Sequence, residues 1–179
     1  MNDTFQNLSI NPDELPAVAD ADFHGIEKGY LKVSLLSGGF FFLLLMIGAF
    51  CIIFFNDDIE GTVQAYSIAL GSIAFLWLIN IIVSIKAFPK KQYAPRERDI
   101  IYTKGLLWWE RTSIPFNRIQ HAELKQGPVD RFFKLHSLKI FTAGGQSSDL
   151  VIPGLNEETA SKLKEFILGK TALDGTDNR

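Results

Sequence analysis

Two long stretches without a formal charge, residues 33–55 and 62–85, constrain this chain more than anything else in it. They hold 23 and 24 residues. At about 1.5 Å of rise per residue each makes roughly 35 Å of helix, enough to cross a hydrocarbon core about 30 Å thick. Backbone in hydrocarbon must satisfy its own hydrogen bonds, and a link of six residues (56–61) joins the two stretches. An antiparallel helical hairpin is the structure that meets both conditions. These features argue against a soluble enzyme or a nucleic-acid-binding domain. The residues after 85 leave room for one small domain.

Charge is divided by region. Residues 1–34 carry a net of −4, the link −3 and residues 86–179 a net of +5. That last excess is far below the dense basic face of a nucleic-acid binder. Orientation follows basic residues near the membrane. Lys28 and Lys32 precede the first span, Lys86, Lys90, Lys91, Arg96 and Arg98 follow the second, and the link has none. Both termini are therefore expected in the cytoplasm. The first stretch begins too late and follows too acidic a segment to be a cleaved signal, so it is expected to be retained as a span. The single cysteine, Cys51, lies inside it, which excludes disulfides and cysteine-based metal sites within one chain.

Within the spans, Ser67, Gly71 and Ala74 form a small-residue stripe, and Ser37, Gly38, Gly48 and Ala49 could supply a facing surface. Gly71 is expected to permit close helix contact. Asn80 is the one strongly polar side chain deep in a span, so it is expected to face the first helix or another subunit. With no Asp, Glu, Lys, Arg or His in either span, the hairpin does not resemble an ion path.

The chain divides into an acidic arm (1–32) broken by Pro12 and Pro16, the hairpin (33–85), a cytoplasmic domain (86–170) and a polar tail (171–179). In the domain, residues 99–103, 106–114, 118–126, 138–142 and 149–152 alternate like strands, with a turn at Lys104-Gly105 and a connection at Ala143-Gly144-Gly145-Gln146. A short helical turn or a tight loop is expected over 129–135. Asn156 is a good N-cap for a final helix bearing the apolar stripe Ala160, Leu163, Phe166 and Ile167 and stopping at Gly169. Antiparallel strands closed by one C-terminal helix are the plan of a pleckstrin-homology-like, partly open barrel.

Several motifs then follow in order: Ile114-Pro115, Arg118-Ile119-Gln120, Gln126-Gly127-Pro128 with Arg131, Thr142-Ala143-Gly144-Gly145 and Ile152-Pro153-Gly154-Leu155. Behind two spans, they make the chain resemble the bacterial pleckstrin-homology-like membrane proteins of the YdbS-like group. The resemblance runs from about residue 15 to 167 and implies the fold, the two-span topology and a bacterial plasma membrane. It also implies a larger relative with several such domains as partner in a hetero-oligomer, with self-association as the other form. It carries over no catalytic residue, cofactor or metal. Where relatives usually read Phe-Gly-Leu-Ala, this chain has Phe133-Lys134-Leu135-His136, and a left-handed backbone at Lys134 would be costly.

His121, Glu123, Asp130 and His136 are the only group that could imitate an acid–base or metal site, and they lack zinc-like spacing and an activated nucleophile. They are expected to be solvated surface residues, and the protein is not expected to be an enzyme or to take a small-molecule substrate. Strand alternation is expected to place one of Trp108 and Trp109 in the core and the other outside. The outward tryptophan, with Gln126 and Arg131, forms the candidate partner face, although the plainer role of Gln126 and Arg131 is to knit neighbouring loops. Lys86, Lys90, Lys91, Arg96 and Arg98 form the candidate contact with anionic lipid headgroups. The first reading is thus a non-enzymatic subunit of a membrane complex, and the alternative an anionic-lipid-engaging module at the inner leaflet.

Overall fold

A computed structural model describes residues 21–55, 62–143 and 149–174. The arm up to residue 20, the acidic link and the Gly144-Gly145 turn lie outside the described residues. Helices α1 (Gly29–Phe54) and α2 (Thr62–Ala87) are the two apolar spans. They pack antiparallel: Asn80 lies over Gly38 near one end, and Phe50 and Tyr66 face each other at 6.3 Å near the other. Asn80 thus faces the first helix, as an amide at that depth requires. Its Oδ1 lies 2.8 Å from where a Cβ on Gly38 would be.

The close-contact glycine is Gly38, not Gly71. A Cβ on Gly71 would meet nothing within 4 Å, and Ser67, Gly71 and Ala74 are all exposed. The face of α2 turned to α1 instead includes half-buried Ala69, Ile73, Asn80 and Ser84.

The domain is built from both sides of the hairpin. Before α1, β1 (His24–Gly25) pairs antiparallel with β2 (Gln92–Pro95), which follows α2. The stretch read as an acidic arm therefore contributes a strand, and Ile26 just after it is buried in the domain core. Strands β3 (Asp99–Lys104) and β4 (Glu110–Pro115) complete one sheet in the order β1-β2-β3-β4. The second sheet comprises β5 (Ile119–Lys125), β6 (Leu135–Thr142) and β7 (Leu150–Asn156), with α3 (Pro128–Phe132) between β5 and β6. Helix α4 (Glu157–Asp174) covers the open side of the core.

The core follows from alternation on these strands. Ile100, Tyr102, Ile114, Leu138, Ile140 and Ile152 point inward with Phe116, and Ala160, Leu163 and Ile167 of α4 close over them. Each fully buried aliphatic chain contributes roughly 1.5–3 kcal/mol. Phe166 stays at the rim, edge-on to Phe116 at 5.7 Å. Asn156 caps α4 as its sequence suggests, its Oδ1 accepting from the Thr159 amide at 2.7 Å.

Several boundaries differ from the expected ones. The strand expected over 106–114 begins only at Glu110, because Gly105 (φ +106°) turns the chain into a loop. The strand expected to end at Ile152 runs on to Asn156, with Gly154 at φ +66° inside it. Helix α4 passes Gly169 and takes in the start of the expected tail. Lys134 holds a left-handed angle (φ 53°), the costly conformation considered for it from the sequence, so the turn is strained there.

Candidate functional site

The candidate surfaces are placed by how the strands leave the membrane. After α2, a 3₁₀ turn (Phe88–Lys90) leads into β2. Lys86 and Lys90 are exposed at this level. Lys91 is half-buried, with Nζ 4.5 Å from the centre of the Tyr30 ring and 3.4 Å from its hydroxyl oxygen. Burial, and secondarily the Lys104 ammonium, push Lys91 below the ordinary lysine range.

At about 3.3 Å per residue, the four residues of β2 carry the chain roughly 13 Å along the sheet to the turn at residues 96–98. Arg96 and Arg98 therefore stand at the end of β2 opposite to the one that follows the spans. Arg96 is also engaged: its Nε and Nη2 donate to Asp99 at 2.7 and 2.5 Å, and the Ser113 hydroxyl donates to the same carboxylate. The guanidinium bonds, assisted by Ser113 and opposed by desolvation, hold Asp99 below the usual carboxylate range. Of the five expected headgroup contacts, Lys86, Lys90 and Arg98 are exposed, whereas Lys91 and Arg96 are half-buried.

Strand β3 runs back toward the membrane. Thr103 pairs with Gln92, and its hydroxyl donates to the Gln92 carbonyl at 3.3 Å. The loop 105–109 between β3 and β4 therefore lies at the membrane end. It closes tightly on Gly105, where a Cβ would lie 1.8 Å from the Trp108 carbonyl oxygen. Because the loop holds both tryptophans ahead of β4, strand alternation does not apply to them, and both Trp108 and Trp109 are exposed. The Arg111 guanidinium lies 4.6 Å from the Trp109 ring and 5.5 Å from Phe23. Lys104 and Glu110 pair across the hairpin at 3.3 Å.

The β5–β6 connection faces the same end. Gln126 donates from Nε2 to the Leu135 carbonyl at 3.0 Å, and Asp130 accepts from the Gly127 amide at 3.2 Å. Both side chains knit the loop around α3, and Arg131 stays exposed. Helix α3 lies beside α1, and an open groove of about 520 Å³ between them is lined by Leu36, Phe40, Val129 and Phe132 among others.

The titratable group of the sequence is dispersed. His121 and Glu123 approach to 3.7 Å on the exposed face of β5, and His121 stacks on Phe141. Asp130 serves α3, and His136 lies on β6. Among the described residues no three His, Cys, Asp or Glu side chains converge as a metal site would need. One feature escaped sequence reasoning: a groove of about 590 Å³ between β2 and α4, lined by His24, Tyr93, Pro95, Leu163 and Phe166 among others. Its walls meet only when β1 and β2 are known, and neither short strand carries a periodic signal.

Against known proteins, the profile of the family described as Bacterial PH domain matches residues 41–171. The chain is similar to the UPF0699 transmembrane protein YdbS of Bacillus subtilis (strain 168), with 31% identity over 102 residues, 54% of this chain and 62% of the relative. It is also similar to the UPF0699 transmembrane protein YdbT of the same bacterium, with 33% identity over 113 residues, 62% of this chain and 22% of the relative. The chain thus spans less than two thirds of either relative. No solved structure matches it.

Proposed function

Because the chain belongs to the bacterial PH domain family, we propose that it is a non-enzymatic subunit of a membrane complex, and that its PH-like domain binds a related, larger PH-domain membrane protein at the inner face of a bacterial plasma membrane. The observation that carries this reading is that the chain matches two transmembrane proteins of one bacterium, a short one and a much longer one. Domains that share ancestry and a membrane offer each other related surfaces. The pairing of β1 with β2 across the hairpin supports it, since the domain is then held at fixed height for a neighbour in the same bilayer. The acidic side chains at hand are engaged structurally, Asp99 with Arg96 and Asp130 with the start of α3. Of the expected partner face, Arg131 is the exposed charged anchor.

A second reading, engagement of anionic lipid, is favoured by Lys86 and Lys90 at the end of α2. Basic residues at such a surface contribute about 1 kcal/mol each and are screened by salt. Affinity capture of the full chain in mild detergent tests both. A stoichiometric PH-domain membrane protein that Arg131→Ala releases supports the complex. Recovery of anionic lipid alone, released by salt, refutes it in favour of the second reading.

A further inference from the structure

We propose that the membrane end of the domain carries two apolar feet, the 105–109 loop and α3, which enter the headgroup region of the same bilayer the hairpin crosses. The inference rests on the spans and on strand register, and it stands whether or not a protein partner exists.

The distribution of exposed apolar side chains carries it. Outside the spans, Leu107, Trp108, Trp109 and Phe132 are 77, 84, 61 and 83% exposed. The other large exposed hydrophobics of the described domain, Val151, Phe166 and Leu168, reach only 37, 41 and 37%. All four strongly exposed side chains therefore lie on the two connections that point at the membrane. A domain standing in water would have no reason to gather them at one end, since exposed apolar patches mark contact surfaces.

Height fixes the occupant. Phe132 shares its groove with Leu36 and Phe40, and both belong to the uncharged stretch 33–55. The α3 foot thus stands at the level where α1 is already among lipid, and the groove is open to it. On the other sheet, Gln92↔Thr103 and Lys104↔Glu110 bring the tryptophan loop back to the level where β2 begins, two residues after the turn that ends α2. Tryptophan suits the boundary, with an apolar ring for acyl carbon and an N–H for water or headgroup oxygen. Lys104, Arg111, Arg131 and Lys134 are exposed around the two feet, where long cationic chains reach phosphate.

The full chain is reconstituted in phosphatidylcholine vesicles, with and without phosphatidylglycerol. Trp77→Phe leaves Trp108 and Trp109 as the only tryptophans of the three. Separately, Phe132→Cys in a Cys51→Ala background carries a polarity-sensitive dye, and Glu97→Cys reports the far end. The expected result is blue-shifted tryptophan emission that iodide barely quenches. Lipid brominated just below the headgroup should quench it more than lipid brominated near the chain terminus. The dye at 132 should shift in the same way and the dye at 97 should not. These results should persist without phosphatidylglycerol and at high salt, because apolar burial drives them. Iodide-accessible emission at both feet, protection that appears only with an added protein, or insertion that salt abolishes would each overturn the proposal. If Trp77→Phe fails to fold, a Leu107→Cys dye reads the same foot in the protein with all its tryptophans.

Discussion

Replacing Gly154 by alanine should loosen the domain from the hairpin. Gly154 sits in β7 at φ +66°, and a Cβ there would lie 2.6 Å from the Cβ of Tyr30, 2.8 Å from its Cγ and 3.0 Å from its Cδ2. The left-handed backbone costs an L-residue about 1–2 kcal/mol, and forcing a methyl into a packed contact typically adds about 1–3 kcal/mol. The sum, about 2–5 kcal/mol, is a large part of the 5–15 kcal/mol that holds an ordinary domain folded. Tyr30 lies in the first turn of α1, and the neighbouring Glu27 amide donates to the Gly154 carbonyl at 2.8 Å, so the strain falls on the joint between domain and membrane. Equilibrium unfolding in mild detergent, with proteolysis at the joint, measures it. A double-mutant cycle separates the two parts: Tyr30→Gly removes the nearest atom and should rescue the overlap, whereas Tyr30→Ala keeps that Cβ and should rescue little. A cost for Gly154→Ala below about 0.5 kcal/mol, the range of an ordinary surface change, would refute the reasoning.

Lys134→Gly should stabilise the protein by up to about 1 kcal/mol, since it relieves a left-handed lysine at the expense of a more flexible unfolded chain; thermal unfolding beside wild type checks it. Gly38→Leu should cost about 1–3 kcal/mol by displacing Asn80, while Gly71→Leu should stay within about 0.5 kcal/mol, as measured by unfolding in detergent. Asp99→Asn should cost about 1.5–3 kcal/mol at neutral pH through its charged hydrogen bonds. Because folding lowers the Asp99 pKa, its contribution is complete above the ordinary carboxylate value of about 3.9 and is lost as pH falls below it, so the pH dependence of unfolding should be flatter in that acid range for the variant. A reporter fused after Arg179 should be active in the cytoplasm and one inserted at Asp58 outside it; the reverse pattern would invert the topology.

What could be read from the sequence was whatever had a local cause. The spans follow from the absence of charge, the N-cap from Asn156, and the barrel plan from alternation and glycine-proline turns. The phase of the spans was not legible: both are apolar on every side, so nothing local tells Gly38 from Gly71, and only the partner helix decides. Strand β1 is two residues long, and its partner Tyr93 lies beyond both spans, a pairing that leaves no periodic trace. The tryptophan pair misled because alternation was carried through a loop that Gly105 had already opened. At the candidate site, Arg131 was legible as an exposed cation, whereas the role of Gln126 required the Leu135 carbonyl to be located.

The short pairing of His24 and Gly25 with β2 ties the domain to the history of its insertion. If one helix crossed the bilayer and the other did not, β1 and β2 would be on opposite sides of it, and the first sheet would lack its edge. Ile26 would then be missing from the core, and Glu27 could not reach Gly154. The sheet closes only in a molecule whose β1 and β2 lie on the same side of the bilayer. Closure of the domain is thus coupled to the hairpin, and a chain with only one helix across the bilayer would be left with an unpaired strand edge and an open core.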